Sequence, residues 1–172
     1  MFSKTDIEKY FTAEKQESLV FIIVGALAIL AAIAFYFMIR SAFFKGAAIP
    51  LLLIGMLQLV VGITVYKRSD DDRIRNVYAY DMNPGELKEK ELPRMAKVNR
   101  NFVIYRWLEL ALLVTGMILS MLYGQNPGRS FWYGFGIALA LQAGISLAAD
   151  YFAEKRGLEY FRGLQSFVGE KR

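Results

Sequence analysis

Four apolar runs, residues 19–39, 47–66, 102–123 and 131–152, take up about half of the chain and decide what it can fold into. A helix rises about 1.5 Å per residue, so roughly 20 apolar residues cross a hydrocarbon core about 30 Å thick. No water reaches that core, and a helix satisfies all of its own backbone hydrogen bonds within one segment. Each run is therefore expected to be a transmembrane helix. Short polar breaks after the first and third runs fold each pair into an antiparallel hairpin. The expected fold is all-α: a polytopic membrane protein with four transmembrane helices in two hairpins. A cytoplasmic amphipathic linker helix, within residues 67–101, joins the hairpins, and a cytoplasmic tail covers 153–172. At 172 residues, 55% of them hydrophobic, the chain reads as one membrane domain with no room for a separate soluble one.

Composition removes most reaction chemistry. The chain has no cysteine and no histidine, so disulfides, thiolate nucleophiles, the commonest metal ligand and the usual neutral-pH base are all missing. No catalytic residue, metal site or cofactor is expected. The net charge of +5 is not read as a nucleic-acid signature, because the basic residues flank the spans and there report orientation. Three lysines precede the first span, nine basic residues lie in the linker and five in the tail, against Arg40, Lys45 and Arg129 in the two short turns. The positive-inside rule then places both termini and the linker in the cytoplasm of a bacterial inner-membrane protein. The first run is longer than a signal-peptide core and is expected to be retained. Phe35, Tyr36, Phe43, Trp132 and Tyr133 fall near one interface, and Tyr66, Tyr105, Trp107 and Tyr151 near the other. There an apolar ring can meet lipid while a polar atom meets water.

Within the linker, Asp70, Asp71 and Asp72 read as a charged turn, and Asn83-Pro84-Gly85-Glu86 reads as a helix start with Pro84 in the first position. Leu87, Leu92, Met95, Val98, Phe102 and Tyr105 recur at helical spacing, so this helix is expected to continue into the third span with a bend near Pro93. Its opposite face, with Lys88, Lys90, Arg94, Lys97 and Arg100, is expected to form a basic surface at the lipid headgroups or toward a partner. Leu158, Phe161, Leu164 and Phe167 give the tail an apolar face for the membrane or the linker helix. The hairpins also read as a diverged tandem repeat, with Glu17 and Glu109, Gly25 and Gly116, and Gln58 and Gln142 as counterparts.

Helices in lipid associate through close backbone packing and interhelical hydrogen bonds, so small and polar residues carry the information in the spans. The fourth span has two such stripes. Gly136, Ala140, Gly144 and Ala148 form a helix-packing face for its own chain or another copy, and Ala138, Gln142, Ser146 and Asp150 lie nearly opposite. Gln58, Glu109 and Gln142 fall at similar depths and are expected to converge in one polar layer, with Arg106 pairing to Glu109 or Asp150. Such a layer either fixes helix register or passes protons or cations.

The leading functional expectation is a non-enzymatic membrane protein acting through intramembrane helix association, as an accessory, assembly or immunity-type subunit. Its expected partners are the lipid bilayer and either further copies of itself or another membrane protein, with no nucleic acid. An oligomeric ion-conducting channel or pore is the alternative, followed by a small transporter. An intramembrane enzyme is the weakest reading, because two carboxylates on separate helices do not make an acid pair by themselves.

Overall fold

The structure, a computed structural model, describes residues 2–170; Met1 and the last two basic residues of the tail, Lys171 and Arg172, lie outside the described residues. Four long helices make up the protein: α1 (Lys4–Phe37), α2 (Ala42–Met82), α3 (Pro84–Tyr123) and α4 (Ser130–Glu170). All four are long and apolar enough to span a membrane, and they form two antiparallel hairpins, α1 with α2 and α3 with α4. At 41 residues, α2 and α4 measure about 60 Å, roughly twice the hydrocarbon thickness. Apolar sequence fills the half nearer the two hairpin turns. The polar half continues beyond it as a stem on the side that holds both chain ends.

Inside the apolar half the helices stand in an open row, in the order α1, α2, α4, α3. Glycines set each contact. A Cβ on Gly25 of α1 would lie 2.6 Å from the Gly55 carbonyl oxygen of α2, and one on Gly116 of α3 would lie 2.6 Å from the Ala140 nitrogen of α4. The central α2–α4 contact is a local pseudo-two-fold. Phe43-Phe44-Lys45-Gly46 and Phe131-Trp132-Tyr133-Gly134 share the pattern Phe-x-x-Gly, and each glycine sits against the backbone carbonyl of the other segment's phenylalanine. Three turns deeper, Gln58 Nε2 donates to Ser146 Oγ at 3.0 Å, with the same 88-residue offset that relates Gly46 to Gly134. At this contact Gln58 has Ser146 rather than Gln142 as its counterpart.

The stem is closed. Phe2, Ile7, Tyr10 and Phe11 meet Ala79 of α2, Leu87 and Met95 of α3, and Tyr160 and Leu164 of α4 in one buried cluster. Tyr10 stacks on Tyr160 with centroids 4.2 Å apart, and Tyr80 stacks on Phe167 at 4.6 Å. Ion pairs surround this core: Lys4 with Asp81 at 2.6 Å, Lys15 with Asp70, and Arg156 with Glu17. The Lys15 hydrogen bond holds the Asp70 carboxyl below its ordinary range.

Several local expectations change. Asp70, Asp71 and Asp72 lie within the continuous helix α2 rather than in a turn. The linker is no separate helix on the membrane surface: α2 runs to Met82, a break falls at Asn83, and the apolar face of early α3 points into the stem core. Helix α3 does start at Pro84. The irregularity expected near Pro93 is a π-turn over Leu87–Glu91, in which the Leu92 N–H reaches back to the Leu87 carbonyl. Proline lacks an N–H and its ring crowds the carbonyl four residues earlier, here Glu89, so one widened turn relieves both problems and the helix goes on. The polar ends of the four long helices thus build a second core.

Gly116→Ala should lower the thermal midpoint in mild detergent by the equivalent of about 1 to 3 kcal/mol, because the new methyl meets backbone rather than a movable side chain. Gly144→Ala should be close to neutral, since its Cβ would meet only Leu113 Cδ1, at 3.9 Å. Equal effects would contradict the assigned contacts. A second expectation concerns pH. Burial pushes the Tyr10 and Tyr160 phenols well above their ordinary value, with the Glu14 charge adding at Tyr10 and the Glu91 charge at Tyr160. Above pH of about 10 the unfolded chain loses phenolic protons that the folded stem keeps, so stability falls as pH rises. Thermal melts from neutral to alkaline pH should show this loss reduced in Tyr160→Phe; identical slopes would count against buried, protonated phenols.

Candidate functional site

The polar residues of α4 form a file. Gln142, Ser146, Asp150 and Glu154 recur every four residues, which places them along one side of the helix from the middle of its apolar half to the start of the stem. Ser146 accepts the Gln58 hydrogen bond. Asp150 interacts with the Glu109 carboxyl across the α3–α4 interface and also lies near Glu17 of α1. Glu154 receives Arg106 Nη1 on both carboxylate oxygens at 3.1 Å. Glu17 in turn receives Arg156. The resulting patch holds four carboxyl groups, Glu17, Glu109, Asp150 and Glu154, against two guanidinium groups, Arg106 and Arg156. Gln142 and Gln58 are buried, and the Oε1 of each, like Glu109 Oε2, has no hydrogen-bond partner among the described residues.

Beside the file, α3 and α4 part. They touch closely at Gly116 against Gly136 and Ala140, and again where Gly157 meets Asn99. Between these contacts lies a groove of about 490 Å³, bordered by Arg106, Leu110 and Leu113 of α3 and by Gly144, Leu147, Ala148, Asp150 and Glu154 of α4. Its turn-side end is apolar and its stem-side end carries the charges. No group of three acidic side chains placed to hold a metal ion occurs among the described residues.

These positions revise the expected site. Arg106 pairs with Glu154, not with Glu109 or Asp150. Gln58 reaches Ser146 across the α2–α4 contact, whereas Glu109 meets Asp150 at the α3–α4 contact. The small-residue face also divides. Gly136 and Ala140 are used against Gly116 within the chain, while Gly144 and Ala148 border the groove. On the expected basic surface, Lys88, Lys90, Lys97 and Arg100 are exposed, with Lys90 bonded to Glu86 at 2.7 Å. Arg94 turns inward. Burial works against its charge, yet hydrogen bonds of 2.7 and 2.8 Å to the buried Glu91 outweigh that and keep it protonated. Glu154, Glu17 and Arg156 are the members that sequence reasoning left out of the site, whereas Ser146 already stood on the polar stripe with Gln142 and Asp150. Extending the four-residue spacing of Gln142, Ser146 and Asp150 by one more turn reaches Glu154.

Two neighbouring carboxyl groups facing each other in an apolar interface repel when both ionise. Asp150→Asn in lipid-stripping detergent at neutral pH should raise the thermal midpoint by about 2 to 4 °C, the response of a chain this size to about 1 kcal/mol. A lowered midpoint would mean that a protein cation already compensates Asp150. Compared with known proteins, the chain matches no family model, no curated protein and no solved structure.

Proposed function

We propose that this is a non-enzymatic integral membrane protein that works by helix association within the bilayer, as an accessory, assembly or immunity-type subunit joined to copies of itself or to another membrane protein. The observation that carries this reading is the open row. Along its span, residues 102–123, α3 buries Gly116 alone and packs on α4 only, so most of its circumference remains available to a neighbour. Its outer side presents Ala111 and Thr115 one turn apart, a small-residue spacing that suits close helix contact, and the Thr115 hydroxyl is already satisfied by the Ala111 carbonyl at 2.7 Å. The distribution of basic residues supports a cytoplasmic stem in a bacterial inner membrane.

The channel reading draws on the polar file of α4, which a ring of copies could turn toward a shared axis. It stands second because the file ends at Gln142. Toward the turns, the Ser120 hydroxyl is bonded to the Gly116 carbonyl of its own helix and lines no path. Native mass spectrometry after mild extraction should find more than one chain per particle, or a distinct chain at fixed stoichiometry. A bare monomer under every mild condition would contradict the association reading. A closed ring of about five or more copies that also conducts in planar bilayers would favour the channel.

A further inference from the structure

The groove between α3 and α4 has the form of a site for an amphiphile. Leu110, Leu113 and Gly144 make its inner end apolar, and the Arg106–Glu154 pair with Asp150 makes its outer end charged, at the level where the spans pass into the stem. From Gly144 to Glu154 the groove follows ten residues of α4, about 15 Å along the axis, which equals one leaflet of hydrocarbon. Its volume, about 490 Å³, falls within the range of small-molecule sites, about 300 to 1,000 Å³.

The charges at the outer end select the headgroup. Arg106 uses only Nη1 on Glu154, so Nε and Nη2 have no protein acceptor among the described residues and can bind a phosphate. Asp150 has no cation bonded to it among the described residues and stands near Glu17, Glu109 and Glu154. A carboxyl group in that setting is matched by a ligand cation with N–H donors. A primary ammonium brings three such donors, whereas a quaternary ammonium brings none.

We propose that the groove binds one phospholipid with a primary-amine headgroup, phosphatidylethanolamine, from the leaflet on the stem side. Its phosphate lies at Arg106, its ammonium at Asp150 and Glu154, and an acyl chain runs along Leu110, Leu113 and Gly144 beneath Ala148. Bound lipid fills the groove between the two helices and supplies the positive charge that the acidic patch lacks. This inference does not depend on the association reading.

The test uses the full chain in vesicles of equal parts phosphatidylethanolamine, phosphatidylcholine and phosphatidylglycerol with matched acyl chains, analysed by native mass spectrometry on release. One phosphatidylethanolamine per chain should be retained, enriched about tenfold over the other two, the factor expected for one well-made charge-assisted contact. Ala148→Leu, which fills the groove, and Asp150→Asn, which removes the ammonium partner, should each abolish the enrichment, while Ala111→Leu on the outer side of α3 should leave it intact. Added phosphatidylethanolamine should also raise the thermal midpoint of the parent chain but not of Asp150→Asn, a readout that stands even if Ala148→Leu fails to fold. Equal retention of the three lipids, preference for phosphatidylglycerol, absence of retained lipid, or enrichment unchanged in Asp150→Asn would each overturn the proposal.

Discussion

Water drives apolar side chains together and hydrocarbon does not, and the form of this protein changes between the polar and the apolar halves of its helices. In the stem, where burial of Ile7, Phe11, Leu87, Met95 and Leu164 is rewarded, four helices close around a core. In the apolar half, large residues gain nothing by facing inward and are left outside, as Leu27, Leu30, Trp107 and Leu122 are. Contact there is made where side chains are absent, at Gly25 with Gly55, Gly46 with Phe131, and Gly116 with Gly136. One set of helices thus forms a closed bundle at one end and an open row at the other.

Polar groups in the row follow from the same constraint. Each must find a protein partner, water or a ligand, because lipid offers none. Gln58 finds Ser146 and ties the two hairpins at their pseudo-two-fold contact. Arg106 finds Glu154 at the edge of the stem. Glu109 and Asp150 find each other, a pairing of like groups that lies beside the groove. The acidic patch and the groove therefore read as parts of one device, and the exposed span of α3 as the surface on which association within the bilayer would act.

Much of the fold was readable because its determinants are local. Run length identifies a span, a short polar break identifies a hairpin, and the Asn83-Pro84 start of α3 is written in four consecutive residues. The stem was not readable in the same way. Its core is shared among four segments far apart in sequence: Phe2, Ile7, Tyr10 and Phe11 near the start, Ala79 alone from α2, Leu87 and Met95 from α3, and Tyr160 and Leu164 from α4. The apolar faces of early α3 and of the tail were legible, but not that the first residues of the chain and α2 close a core with them. Side-chain pairing was harder still. Depth along the membrane normal correctly put Arg106 near carboxylates, but rotation about the helix axis decided for Glu154 over Asp150, and depth carries no information on rotation. At the α2–α4 contact the reciprocal Gly46–Phe131 and Gly134–Phe43 approaches set an offset of 88 residues, four away from the one that Gln58 and Gln142 suggested as counterparts.

The most direct test of the open row is a distance across it in a bilayer. Spin labels at Leu27 of α1 and Val114 of α3, both exposed, should lie about 20 to 30 Å apart if three helix spacings separate them. A pulsed electron-electron resonance measurement in lipid vesicles giving that range would place α1 and α3 at opposite ends of the row. A distance of about 10 to 14 Å, the spacing across a compact four-helix bundle, would show that the spans close on themselves in lipid and would contradict the account.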